Sequence, residues 1–229
     1  MAVKPSISKL WGHAMKRPAK PNLRYALIAL AAALPISAVI APAGLAQEAP
    51  AGDYELDRTH ASLTWKILHQ GLTWYSARFT DMRAELTFDP DNVAKSKVSV
   101  TIAADSVETD YEKTRPAGNT TDFNKEIFEE ERFFDGGAHP KITFVSTKVA
   151  KTGDNTGKLT GNLTFRGVTK PVTLDVTYIG HRNDPRRQKH KVGFSAVGSI
   201  KRSDFGMTFG QSFLSDEVKL EIYGEFVEK

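Results

Sequence analysis

Apolar and polar residues alternate with a period of two through most of this chain. Leu63, Trp65 and Ile67 are separated by Thr64 and Lys66, and Val98, Val100 and Ile102 by Ser99 and Thr101. The same holds for Val172, Leu174 and Val176, and for Val218, Leu220 and Ile222. Leu159, Leu163 and Phe165 follow the rule around Gly161. Successive side chains of a strand point to opposite faces, so each run offers one apolar and one polar face. That pattern fits an antiparallel sheet buried on one side. Asp89-Pro90-Asp91-Asn92, Gly153-Asp154-Asn155-Thr156-Gly157 and Arg182-Asn183-Asp184-Pro185 are turn clusters between the runs. The exception is Asp122–Phe134, where Phe123, Ile127, Phe128 and Phe133 fall near helical spacing and Glu129–Glu131 would face solvent. Many short strands with one polar face make a sandwich or a closed barrel. Closure removes the exposed sheet edges, and a barrel of about eight strands has room for side chains or one small ligand. The alternation by itself does not choose between these.

The first 46 residues do not share the pattern. Lys4, Lys9, Lys16, Arg17, Lys20 and Arg24 precede an apolar run, Ala26–Ala41, and small residues follow up to Gly44-Leu45-Ala46. This is the layout of a secretory signal cleaved after Ala46, so residues 1–46 are expected to be removed and residues 47–229 to form one domain. Export also corrects the charge. The chain has 31 basic and 27 acidic residues, but six of the basic ones and no acid lie in the signal, leaving a net of −2. A nucleic-acid partner is therefore not expected. Cysteine is absent, which removes thiol catalysis, cysteine-based metal sites and a lipid-modified N-terminus.

Catalytic signatures are missing. The chain has no Gly-x-Ser-x-Gly elbow, phosphate loop or dinucleotide fingerprint. His60 and His69 would face opposite sides of one continuous strand. His181 and His190 flank a basic turn with Arg182, Arg186, Arg187 and Lys189. No histidine pair has a tight ligand spacing, so no metal site is expected. The 13 phenylalanines all follow residue 46. Inward rings either fill a core or form a smooth apolar wall for a ligand.

Several blocks together resemble the YceI family. They are Tyr54-Glu55-Leu56-Asp57, His60-Ala61-Ser62-Leu63-Thr64-Trp65, His69-Gln70-Gly71-Leu72, Ala77-Arg78-Phe79 and Leu86-Thr87-Phe88-Asp89-Pro90. They continue with Arg132-Phe133-Phe134-Asp135, His139–Ser146, Gly161–Val172, Lys201–Gly206 and Asp216-Glu217-Val218. Each is short, but they stand in family order over nearly all of residues 53–226. Ahead of the Phe-Phe-Asp block, where the family carries a histidine–leucine pair, this chain has Phe123-Asn124-Lys125-Glu126-Ile127-Phe128.

The resemblance implies an all-β fold, an antiparallel lipocalin-like barrel of about eight strands with a short helix near 122–134. It also implies a periplasmic protein, often a homodimer, that holds a polyisoprenoid chain in its interior and uses no cofactor. On that reading the barrel sequesters or transports an isoprenoid lipid or quinone. Trp65, Ile67, Phe79, Phe88, Phe144, Phe165 and Phe205 would line the apolar wall, and His69 or Arg202 would meet the polar end. The basic turn at 182–191 offers transient contact with an anionic membrane. The alternatives are a hydrolase-type enzyme on the same scaffold and a stress-related structural or interaction module with a filled core.

Overall fold

The computed structural model describes residues 49–229. The expected export signal and its cleavage point lie outside the described residues. The strands are β1 (Gly52–His69), β2 (Thr73–Phe79), β3 (Met82–Phe88), β4 (Lys97–Ala103) and β5 (Val107–Thr109), then β6 (Lys141–Lys151), β7 (Thr156–Phe165), β8 (Val168–Asp184), β9 (Lys189–Lys201) and β10 (Leu214–Glu228). Two short helices, α1 (Tyr111–Thr114) and α2 (Phe123–Glu129), lie between β5 and β6.

The sheet closes, which decides between barrel and sandwich. One edge of β1 pairs antiparallel with β10, with Trp65 opposite Leu220. Its other edge pairs with β3 near its start, with Gly52 opposite Phe88, and with β2 near its end, with Leu63 opposite Phe79. β2 and β3 act as one strand broken at Thr80–Asp81. β4 and β5 are likewise one strand broken by a 3-10 turn at Ala104–Ser106. With each broken pair taken as one stave, the result is an eight-stranded closed antiparallel barrel. The pairing of β4 with β6 stops at Ala103 and Lys141, so the outer edge of β5 would stand open. Instead, Asn124 of α2 accepts hydrogen bonds at its Oδ1 from the Thr109 backbone N–H and hydroxyl, and so covers that edge.

The helix near 122–134 is shorter than its apolar spacing predicts. Asp122 caps it by accepting from the Lys125 N–H, and it ends where Glu130 takes an extended conformation. Phe133 and Phe134 follow in turns rather than in the helix. A helix continuing through them would carry Phe134 past the barrel end, whereas the turns drop its ring into the interior, buried against Phe79 and Phe165.

One barrel end is plugged by Tyr54, Phe88, Tyr178, Phe194 and Phe226. Tyr54 is completely buried and donates its hydroxyl to the Pro50 carbonyl at 2.7 Å. Burial, reinforced by the charge of Glu228 and by Tyr178, pushes its pKa up to about 12. Since the unfolded tyrosine ionises near 10, the folded state holds the proton longer. Stability is therefore expected to fall by about 1.4 kcal/mol per pH unit between roughly pH 10 and 12. Urea unfolding of Tyr54→Phe across that range checks this: the variant should lose the part of the alkaline slope that Tyr54 contributes.

Candidate functional site

The inward side chains of the barrel fall into two groups. On β1 to β3 most are buried, including Leu63, Ile67, Ala77, Phe79, Ala84 and Leu86. On the opposite wall, Leu159, Leu163, Val172, Val176, Ile200, Val218, Leu220 and Ile222 are only half-buried. Strand parity points them at the barrel axis, on the same face as Leu174, Phe165 and Phe226. These residues make an apolar inner wall on β7 to β10, and Val172 and Ile200 also line an open groove with Pro171, Thr173, Ser199 and Phe205. Glycines thin the wall. A Cβ at Gly161 would lie 2.4 Å from Phe144 Cζ, and one at Gly198 would lie 2.6 Å from Leu174 Cδ2. Phe144 and Leu174 therefore lie flat along the wall, over backbone that carries no side chain.

The other barrel end is closed by a cap of aromatic rings. Trp65 meets Phe134 edge-on, Phe79 stacks on Phe134 at 5.9 Å, and Phe165 bridges Phe134 to Phe205. Outside this layer Phe123, Phe133, Phe209 and Phe213 form a chain of edge contacts, and Arg132 lies over both Phe133 and Phe209. His69 is half-buried beside Phe213, at 6.2 Å between ring centres. Phe123, which stands where the family carries a different motif, packs against Tyr75 and Tyr111.

The structure thus gathers Trp65, Phe79 and Phe165 around Phe134, with Phe205 against Phe165. Ile67 is buried on the inward face of β1, and Phe144 lies along the middle of the wall. Phe88 belongs to the opposite plug, stacked with Tyr178 at 5.9 Å.

Arg202 has a role its position in the sequence does not suggest. It is 2% exposed, and its guanidinium donates to four carbonyls: Nε to Ser215, Nη1 to Met207 and Phe209, and Nη2 to Leu214. Burial pulls its pKa down, against the attraction of Asp216. These bonds hold the loop between β9 and β10, which carries Phe209 and Phe213. Arg166 does the same for the neighbouring segment, donating to the carbonyls of Phe205, Glu131 and Phe133. It sits in the two-residue β7–β8 turn with Gly167, both at positive φ. Sequence reasoning passed over Arg166, Phe134, Phe209 and Phe213 as site residues. The Phe-Phe pair and the Arg-Gly turn were visible signals, but the contacts joining them are long-range.

Histidines at the plugged end form contacts the spacing did not reveal. His181 Nε2 and His190 Nδ1 lie 2.8 Å apart across the β8–β9 hairpin. Asp57, His60 and Glu225 bring metal-ligand-type atoms within 4.8 Å of one another at the bulge in β1. Glu225, however, is ion-paired with Lys191. Asp57 is held at a pKa of about 2, chiefly by the Thr59 hydroxyl and also by His60. Asp57, Thr59 and His60 are joined by hydrogen bonds at the bulge, and the Lys191 ammonium faces Glu225.

A closed antiparallel barrel with an aliphatic inner wall and an aromatic cap has the build of a lipocalin-like lipid-binding barrel. The chain belongs to the YceI family: the family model described as a YceI-like domain matches residues 54–226. Protein YceI of Escherichia coli is 39% identical over 186 residues, covering 80% of this chain and 91% of that protein. The crystal structure of BcnA from Burkholderia cenocepacia matches with a TM-score of 0.61 at 26% identity, over 74% of this chain and 98% of that one. A polyisoprenoid-binding domain from Saccharophagus degradans shares the fold at a TM-score of 0.52 and 14% identity, over 77% of this chain and 98% of that one.

Proposed function

We propose that this chain is an exported binding protein of the bacterial envelope that holds an isoprenoid lipid, a quinone included, in its barrel lumen. The observation that carries this is the inward aliphatic wall on β7 to β10, left half-buried inside a closed barrel. Its residues offer methyl and methylene surface and ask for no hydrogen bonds. A branched hydrocarbon tail laid against them leaves water at a gain of about 25 cal/mol per Å². The Saccharophagus degradans domain, which shares this fold, is described as polyisoprenoid-binding, and the lumen here has matching chemistry.

Sequestration or transport through the periplasm is the physiological act we assign, on the strength of the signal-like N-terminus. Transient membrane contact is supported by Leu72, Trp74, Phe209 and Phe213, large apolar residues exposed around the capped end, with Lys219 4.0 Å over the Trp74 ring. A homodimer is supported by Ile179, Val197 and Tyr223, exposed on the outer face of β8 to β10.

Co-elution of a radiolabelled C40 prenyl lipid with the delipidated protein on size exclusion tests the central reading. Stoichiometric co-elution is expected. Elution of the label only in micelles would overturn it.

A further inference from the structure

Both ends of the barrel are closed by rings, one by Tyr54, Phe88 and Tyr178 and the other by the cap around Phe134. A chain that lies along the inner wall needs another way in. The β7–β8 ladder runs as far as Phe165 opposite Val168, and the β9–β10 ladder as far as Lys201 opposite Glu217. The ladder between β8 and β9 stops short, at Asp175 opposite Val197. Val168–Leu174 and Gly198–Lys201 therefore face each other without a ladder.

An open groove of about 440 Å³ lies at this seam. Val172 and Ile200 line it from the inner face of the wall, together with Phe205, which is almost fully buried. Thr173 and Ser199 line it from the outer face, where both are exposed. A groove lined from both faces of a sheet passes between its strands. The slot is tied at each end. Beyond Asp175 the ladder holds it, and at the cap Arg166, in the turn before β8, donates to the carbonyl of Phe205, in the 3-10 turn after β9. The residues along it suit a seam that stays unpaired. Pro171 has no N–H to give, and Lys170 and Lys201 put charge on the two edges, devices by which exposed strand edges avoid pairing. The interruption of the wall at Thr80–Asp81 is shut by contrast: Arg58 bonds Asp81 at 2.7 Å, and the adjacent inward Met82 and Ala84 are buried.

We infer that the seam between β8 and β9 is a lateral portal, through which the hydrocarbon chain of a lipid passes between Val172 and Ile200 to reach the inner wall. Strand edges without a ladder part at little cost, so this stretch opens while the rest of the barrel stays intact. Its apolar floor accepts methyl and methylene groups, and the charged rim of Lys170, Lys201, Asp204 and Glu217 stays in water. The portal rests on the lipid-binding reading above and adds the route to it.

A disulfide across the seam tests it, and the chain has no cysteine of its own to interfere. A Cβ on Gly198 would lie 3.3 Å from the Thr173 carbonyl oxygen, so the strands still touch where the slot begins. Continuing the register sets Thr173 opposite Ser199. The experiment follows transfer of a radiolabelled C40 prenyl lipid between the protein and phosphatidylcholine vesicles. Oxidised Thr173→Cys/Ser199→Cys is expected to take up and release the lipid about tenfold more slowly than its reduced form. Its equilibrium affinity should not change, because a gate slows both directions together. Thr177→Cys/Ser195→Cys, in the paired part of the same seam, should exchange lipid equally fast oxidised or reduced. Where the disulfide at Thr173 and Ser199 forms, it decides. Where it does not, Val172→Trp decides, since an indole there fills the groove and should slow exchange as much. Unchanged exchange in the deciding variant, or equal slowing by the control disulfide, would overturn the portal. If the wild type takes up no lipid at all, the lipid-binding reading fails, a result distinct from a wall that never opens.

Discussion

Arg202→Met is expected to lower the free energy of unfolding by about 3–5 kcal/mol, the largest stability effect of any single substitution considered for this chain. The residue looks like a rim cation in the sequence, and a rim cation would be worth little. The structure buries it and has it donate to the carbonyls of Met207, Phe209, Leu214 and Ser215. Methionine keeps much of the volume but leaves those acceptors without donors, at roughly 1–3 kcal/mol for each that water cannot reach. Arg202→Lys should recover less than half of the loss, because one ammonium cannot span four carbonyls that the planar fork reaches together. Urea denaturation followed by near-ultraviolet circular dichroism measures both. A midpoint for Arg202→Met within error of the wild type would show that the loop holds without the guanidinium.

Leu220→Trp is expected to leave stability within about 0.5 kcal/mol and to weaken binding of a C40 prenyl lipid about 100-fold, roughly 2.8 kcal/mol. Leu220 lies between Trp65 and Gly198 in the row of inward residues that crosses the barrel. With a lumen in front of it, an indole grows into open space and occupies the ligand's place. If the interior were packed solid, the same substitution would overpack the core and cost about 1–3 kcal/mol. The two readings therefore differ in the sign of a pair of measurements. Preserved stability with lost binding supports a lumen, and lost stability supports the filled module.

The strands were legible because period-two alternation survives in local sequence. Val98-Val100-Ile102 and Val218-Leu220-Ile222 announce which face is buried without reference to any partner. Closure was not legible from the residues alone, since it rests on β1 meeting β10 across nearly the whole chain. The lining was legible only as composition. Phe79 and Phe88 have the same alternation and the same residue type, yet one joins the cap and the other the opposite plug. Arg202 was the hardest to read, because nothing near it in sequence indicates that its partners are the carbonyls of the following loop. His181 and His190 were visible as flanks of a turn, but their 2.8 Å contact depends on the β8–β9 register and its irregularity near Tyr178. Trp65 read as one more ring. Its unmet N–H depends on how the interior packs around the indole, which the alternation does not encode.

Native mass spectrometry of the protein purified without detergent or organic solvent tests the central claim most directly. A lipid held inside the apolar barrel should survive such a purification. The predicted spectrum contains a species heavier than the polypeptide by the mass of one prenyl lipid, and extraction with chloroform and methanol removes that increment. Identical masses before and after extraction, both equal to the bare polypeptide, would contradict the account.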